Sequence, residues 1–222
     1  MSKPAKILAV AFDMDGLMFN TEDLYLEVAR QLLARRGHEL DMRMIQKMMG
    51  LPVEVAYPIM IDWCGLSESV EKLSGETEDL FAELLPTALA PMPGLLELLD
   101  KIEQMQLPKA IATSSNRGQV ERILEIAQLP VEFDFWLTSD DVENGKPHPE
   151  IYTRTAANFG IKPPQMVVLE DSEHGCRSAV AAQATTVAVP GPHNAHASYE
   201  GVAFVAESLA DERLHRLVCG SR

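Results

Sequence analysis

The fold of this 222-residue chain is decided by the stretch ILAVAFDMDG, residues Ile7 to Gly16. A short continuous apolar run that ends in acidic residues is typical of a strand buried on both faces of a parallel sheet. Gly16 then allows the backbone to turn sharply as the chain leaves the strand. The apolar run is too short for the core of a signal peptide, so we expect a cytoplasmic protein.

From about residue 91 onward, the chain alternates short apolar runs with amphipathic segments such as Gly118 to Gln128. This alternation is typical of an α/β fold with a parallel sheet. The four further predicted strands are Lys109 to Thr113, Phe135 to Thr138, Met166 to Glu170 and Thr186 to Val189.

Helical patterns fill the region that follows the first strand. The first helix begins at Asn20 or Thr21 and ends at Gly37, and an apolar stripe runs along it. Further helices are predicted at Met42 to Met49, Glu54 to Cys64 and Thr77 to Leu85, with Pro86 to Pro93 as the returning linker. We therefore predict a core of residues 1–17 and 88–222, interrupted by a helical domain of residues 18–87.

The composition excludes several classes of partner. The net charge of −14 argues against a nucleic-acid partner, because binding a phosphate backbone requires a basic surface. No apolar run approaches the roughly 20 residues that span a bilayer, so we expect no membrane association. Three cysteines without CxxC spacing favour neither a disulfide framework nor a zinc site. The oligomeric state stays open.

Asp13 and Asp15 follow the first strand directly. One of two carboxylates in this arrangement can attack phosphorus and form an aspartyl phosphate. The other can protonate the leaving oxygen and then activate water. A solvated turn or a fragment of a calcium loop are the alternatives, and the apolar strand before the pair argues against both.

Two more polar clusters follow predicted strands. Thr113-Ser114-Ser115-Asn116 offers hydroxyls and amides for phosphate oxygens, although in isolation a helix N-cap is the better explanation. The segment Gly145 to Glu150 holds Lys146 beside two prolines. Its ammonium could neutralise the nucleophile and the transferring phosphoryl group, while a lysine in a surface turn is the simpler alternative. We give His148 no catalytic part.

The fourth cluster is Glu170-Asp171-Ser172, after the apolar run Val167 to Leu169. Carboxylates at the end of a buried strand are costly unless a cation lies beside them. Mg²⁺ prefers oxygen ligands, and Asp13, the carbonyl of Asp15 and Asp171 could supply them. Glu170 would either bind the metal directly or support the ligands.

Together the four clusters resemble, in order and spacing, the haloacid dehalogenase superfamily of phosphotransferases. The helical insert is similar to the C1 cap of its β-phosphoglucomutase-like branch. The resemblance implies a Rossmann-like core with Asp13 as nucleophile and Asp15 as acid and base. It also implies that Thr113, Ser114 and Lys146 bind phosphate and stabilise charge, and that Asp13, Asp15 and Asp171 hold Mg²⁺.

Within this resemblance we expect a Mg²⁺-dependent phosphatase for a small phosphorylated metabolite of the sugar or nucleoside phosphate type. Asp15 favours an oxygen leaving group over dehalogenation. A sugar-phosphate mutase is the alternative, but the loop from Met48 to Glu54 is apolar and acidic where such mutases carry basic residues; Arg43 and Lys47 lie nearby. A non-catalytic module that binds a phosphorylated ligand is a third hypothesis. The loop from Pro190 to Tyr199 receives no role.

Overall fold

The computed structural model describes residues 6–48, 51, 53–194 and 197–220. The chain divides into two compact units. The first consists of Met1–Asn20 together with Ala90–Arg222, and it contains the sheet. The second is Thr21–Leu89, whose described secondary structure is helical.

A six-stranded parallel sheet forms the centre of the first unit. Its strands are β1 (Ala9–Phe12), β2 (Lys109–Ala112), β3 (Phe135–Leu137), β4 (Met166–Glu170), β5 (Thr185–Ala188) and β6 (Phe204–Val205). They lie in the order β3-β2-β1-β4-β5-β6, and every neighbouring pair is parallel. This is the order of a Rossmann-like fold, and it confirms the predicted α/β class.

The described helices are distributed between the two units. Those of the second unit are α1 (Thr21–Ala34), α2 (Met42–Met48), α3 (Val53–Cys64) and α4 (Val70–Ala88). Those of the first unit are α5 (Leu95–Gln104), α6 (Arg117–Ala127), α7 (Glu150–Asn158), α8 (Glu173–Ala181) and α9 (Glu212–Cys219).

Several predicted bounds differ from the observed ones by one to three residues, and the start of α4 differs by more. The helix expected from Thr77 begins at Val70, because the Ser69 hydroxyl accepts the Lys72 N–H at 3.3 Å and caps it. The same helix extends through Pro86, where the sequence predicts a linker. A proline lacks the N–H that would bond the carbonyl four residues earlier in the helix. Because Pro86 lies close to the end of α4, the loss of this one hydrogen bond does not stop the helix. Met49, the predicted end of another helix, lies outside the described residues.

The core of the first unit is built from strand residues and from the buried faces of α5 to α9. β1, β2 and β4 are buried along their whole length, which explains their nearly continuous apolar sequences. Each large aliphatic side chain buried here stabilises the fold by about 1.5–3 kcal/mol. One cluster consists of Ala11, Ala112, Leu137, Ile151, Tyr152, Ala156, Met166, Val168, Ala179 and Ala182.

Hydrogen bonds join the two segments of the first unit between which the helical unit is inserted. Asn20 accepts the Ala90 N–H on its side-chain oxygen at 2.7 Å and donates its own N–H to the Ala90 carbonyl at 3.1 Å. Two residues further along, the Met92 N–H bonds the Met18 carbonyl at 2.8 Å. We call this arrangement, from Met18 to Asn20 and from Ala90 to Met92, the clasp.

Of the helices in the described ranges, none combines the length and the apolar character that crossing a bilayer requires.

A substitution at Gly94 tests how closely the start of α5 packs against the segment before α9. Its φ is +88°, and a Cβ there would overlap the Ala210 nitrogen and lie 2.6 Å from the Leu209 carbonyl carbon. Gly160 also has a positive φ, +68°, but a Cβ there would meet nothing within 4 Å. We expect Gly160→Ala to lower the free energy of unfolding by about 1–2 kcal/mol, from backbone strain alone. Gly94→Ala should cost at least about twice as much, and equal losses in urea unfolding would contradict this.

Candidate active site

Asp13 is the first residue after β1, at the carboxyl end of the sheet. Its N–H donates to the Leu169 carbonyl of β4 at 3.0 Å, which fixes its backbone between the two strands. The residue is only 7% exposed. Ligands of open α/β sheets bind at this end of the strands, beside the strand where the order reverses. Asp13 follows that strand.

The ammonium of Lys146 joins three parts of the sheet. It donates to Asp13 Oδ1 at 2.5 Å, to Glu170 Oε1 at 2.6 Å and to the Ala112 carbonyl at 2.9 Å. The side chain is 5% exposed, so the two ion pairs lie out of water and are screened little by salt. Lys146 therefore links the ends of β1, β2 and β4.

Glu170 is completely buried at the end of β4. Besides Lys146, its Oε1 accepts the Tyr152 hydroxyl at 2.7 Å, and its Oε2 accepts the N–H and hydroxyl of Ser172 at 3.2 and 3.0 Å. A Cβ on Gly175 would overlap the Glu170 carboxylate. The glycine is therefore required by the close approach of α8 to this carboxylate.

The electrostatics of the cluster follow from burial and from the pairing of charges. Burial raises the pKa of Asp13 well above its ordinary value, and the charges of Glu170 and Asp15 add to this, against the lowering effect of Lys146. Burial acts to lower the pKa of Lys146, but the charges of Asp13 and Glu170 outweigh it and raise that pKa. Burial and the charge of Glu170 raise the pKa of Tyr152, so its hydroxyl keeps its proton.

Asp171, 2% exposed, completes an acidic cluster with Asp13 and Glu170. One carboxylate oxygen from each lies within 4.8 Å of the others. Lys146 contacts two of these three carboxylates, which leaves an excess of buried negative charge. A cluster of oxygen donors with this excess suits a hard divalent cation. The residues present therefore fit the Mg²⁺ that the sequence predicts.

Asp15 is held by hydroxyl groups from the loop after β2. Its Oδ2 accepts the Thr113 hydroxyl at 3.2 Å and the Ser115 hydroxyl at 2.6 Å. The Thr113 hydroxyl in turn accepts the Ser115 N–H at 3.0 Å. Ser114, between them, is exposed. The structure thus brings Thr113 to Asp15, and the neighbouring contact comes from Ser115 rather than from Ser114.

The segment that carries Lys146 is anchored by Glu150. The Glu150 carboxylate accepts the N–H groups of Glu143 and Asn144, each at 3.0 Å, and the Asn144 amide at 3.0 Å. The Lys146–Pro147 peptide is cis. The His148 side chain is half exposed and lies 4.0 Å from Glu150.

Several residues of the site were not predicted. Tyr152 carried a usable signal, since a tyrosine on the buried face of a helix needs a partner for its hydroxyl. Ser115 stood in a predicted cluster but received no role. Asn194 and Tyr199 contact Asp171 from the loop to which we assigned no role. Nothing local in the sequence indicates that contact, because it depends on how the loop after β5 returns to the sheet.

Comparison with known proteins agrees with this geometry. The model of the haloacid dehalogenase-like hydrolase family matches residues 10–189. The chain belongs to this family. Its matched range includes all four predicted clusters, from Asp13 to Asp171.

Individual members of the family indicate which kind of hydrolase this chain resembles. A phosphorylated carbohydrates phosphatase of Thermotoga maritima is 30% identical over 78% of this chain and 81% of its own length. Hexitol phosphatase B of Escherichia coli K12 is 30% identical over 86% of this chain and 87% of its own. The crystal structure of a candidate β-phosphoglucomutase of Thermotoga maritima matches with a TM-score of 0.82 and 28% identity, over 95% of this chain and 98% of that one.

This haloacid dehalogenase-like hydrolase is therefore a member of the β-phosphoglucomutase-like branch, as the resemblance implied. It is a phosphoric monoester hydrolase, the class to which both curated relatives belong.

Glu150 gives the hydrolase a pH-dependent contribution to stability. The hydrogen bonds from Glu143 and Asn144 lower the pKa of Glu150 from 4.5 to about 2. Because the folded value is the lower one, this stabilisation is complete above about pH 4.5 and is lost as the pH falls through about 2. We expect Glu150→Gln to lower the melting temperature at pH 7, and the difference from the unmodified protein to shrink between pH 4.5 and 2.

Glu125→Gln, on the exposed face of α6, makes the same change in net charge and serves as the control. A melting-temperature difference for Glu150→Gln that stays constant across this pH range would contradict the role of the carboxylate.

Proposed function

We propose that this enzyme is a Mg²⁺-dependent phosphatase that hydrolyses a small phosphomonoester through an aspartyl phosphate on Asp13. The observation that carries the proposal is the pair of carboxyl groups after β1. Asp13 is buried against Lys146, while Asp15 accepts hydrogen bonds from the hydroxyls of Thr113 and Ser115. Two carboxyl groups in different surroundings can take two chemical roles.

In the first step an Asp13 carboxylate oxygen attacks phosphorus and the bond to the ester oxygen breaks. The proton of Asp15 passes to the departing alkoxide, which leaves as an alcohol. Lys146 contributes a positive charge beside the nucleophile, where it also opposes the negative charge of the phosphoryl oxygens. Ser114, exposed at the end of β2, donates its hydroxyl to those oxygens, and Thr113 does so once a phosphoryl oxygen replaces Asp15 as the acceptor of its hydroxyl.

In the second step the ionised Asp15 takes a proton from water, and the resulting hydroxide attacks the phosphorus of the aspartyl phosphate. The bond to Asp13 breaks, which releases inorganic phosphate and restores the Asp13 carboxylate. The Ser115 hydroxyl, 2.6 Å from Asp15 Oδ2, orients this carboxyl group in both steps.

Asp13, the carbonyl of Asp15 and Asp171 are the proposed Mg²⁺ ligands. Glu170 lies beside them, and four donor groups already contact its two oxygens. When bound, Mg²⁺ would neutralise the buried carboxylates, keep Asp13 ionised and withdraw charge from the phosphoryl group.

The proposed substrate class is a small phosphorylated sugar or nucleoside in the cytoplasm. The two curated relatives act, by name, on phosphorylated carbohydrates and a hexitol phosphate. The net charge of −14 argues against a nucleic-acid substrate. We assign the helical unit Thr21–Leu89, for which the sequence predicts residues 18–87, as the helical cap of the family. A mutase remains the second candidate, favoured by the 28% identical candidate β-phosphoglucomutase. Of the loop that bears on this choice, Met49, Gly50 and Pro52 lie outside the described residues.

A panel of sugar and nucleoside monophosphates, assayed with Mg²⁺ and with a chelator, tests the proposal. We expect steady-state release of inorganic phosphate that requires Mg²⁺, and a loss of about a thousandfold or more in kcat/KM for Asp13→Asn. Asp100→Asn, on the exposed face of α5, is the matched control. Turnover that survives Asp13→Asn would exclude the mechanism. Conversion of a sugar 1-phosphate to its 6-phosphate, primed by a bisphosphate and faster than phosphate release, would favour the mutase.

Asp15→Asn should separate the two steps. With an alkyl phosphate, the leaving alkoxide needs a proton, and we expect the first step to become slow. With 4-nitrophenyl phosphate the leaving phenolate needs none, so the first step should proceed while attack by water lacks its base. The aspartyl phosphate should then accumulate, visible as a burst of nitrophenolate and as an 80-Da adduct in intact mass spectra. A steady rate with neither signal would show that Asp15 is not the base.

A further inference from the structure

The loop between β5 and β6 reaches back to Asp171 at the end of β4. The Asn194 amide nitrogen donates to Asp171 Oδ2 at 2.7 Å. The Tyr199 hydroxyl lies 2.8 Å from the Asp171 carbonyl oxygen and 2.9 Å from the Asn194 carbonyl oxygen. The side chain and the backbone of Asp171 are thus both contacted from one loop.

These contacts fix the orientation of the Asp171 carboxylate, which β4 and α8 do not. The strand and the Ser172 cap of α8 fix the backbone around Asp171, but rotation of a carboxylate about its last side-chain bond is broad and roughly two-fold. A hydrogen bond to Oδ2 selects one orientation, and so determines where the other oxygen faces. A cation ligand that is oriented before binding loses less conformational freedom on binding.

The chemistry of Asn194 suits this task. An amide donates a hydrogen bond to an ionised carboxylate without a positive charge that would repel a metal ion. The opposite assignment of the amide would place its oxygen against the carboxylate, so the nitrogen is the atom that faces Asp171.

We propose that Asn194 is a positioning residue that orients Asp171 as a Mg²⁺ ligand, with Tyr199 fixing the loop that carries it. This inference rests on the proposed function, because it assumes that Asp171 binds the metal. Partners that orient metal ligands are typically worth about 10–100-fold in metal affinity. A loop contact with a purely structural role would affect the melting temperature and leave Mg²⁺ affinity unchanged.

The experiment measures binding of Mg²⁺ alone, without substrate, by isothermal titration calorimetry. Asn194→Leu removes the donor at similar volume, and we expect its Kd for Mg²⁺ to rise by about 10–100-fold. Asn158→Leu makes the same change at an exposed position near the end of α7 and should leave the Kd unchanged. Melting temperatures in metal-free buffer are recorded in parallel.

Tyr199→Phe keeps the ring and removes only the hydroxyl. We expect it to weaken Mg²⁺ binding by about fivefold, the value of one ordinary hydrogen bond. It provides the same readout if Asn194→Leu does not fold.

The outcomes separate the two proposals. Absence of Mg²⁺ binding to the unmodified protein would overturn the metal site itself, and with it both proposals. Normal binding by the unmodified protein, with an unchanged Kd in Asn194→Leu or in its substitute Tyr199→Phe, would overturn the positioning role alone.

Discussion

The ammonium of Lys146 is the charge on which the active site depends. It lies between the buried carboxylates of Asp13 and Glu170, and burying a carboxylate charge is costly unless a cation is paired with it. Removing one partner of such a buried pair typically costs about 3–5 kcal/mol, because it leaves an uncompensated charge. The pair therefore matters more for the arrangement of the site than as a net source of stability.

The architecture makes this meeting of charges possible. The acids come from β1 and β4, which are neighbours in the sheet, and Lys146 also contacts the carbonyl at the end of β2. Because all strands are parallel, their carboxyl ends lie on one edge, where residues more than a hundred positions apart in sequence become adjacent. Hydroxyls from Tyr152 and Ser172, with the small Gly175, complete the surroundings of the buried glutamate.

Much of this arrangement follows from sequence patterns. Apolar runs predicted β1 to β5, and the signal is continuous in β1, β2 and β4 because these strands are buried along their whole length. β6, with two residues, is too short to produce one. Asp13, Asp15, Lys146 and Asp171 were singled out because each charged group adjoins a strand or a rigid turn. The contacts of Asn194 and Tyr199 could not be predicted, since the path of a loop depends on tertiary packing. The sequence pattern predicted that α4 begins at Thr77, whereas the Ser69 cap starts the helix at Val70.

The clasp has a consequence for the length of the helical insert that the fold can accommodate. The two chain segments that lead into and out of the helical unit are hydrogen-bonded to each other within the first unit. The ends of the insert are thus held together whatever lies between them, and the entropic cost of closing a longer or shorter insert grows only slowly with its length. The hydrogen bonds of the clasp therefore allow the length of the helical insert to vary while the register of the sheet is preserved.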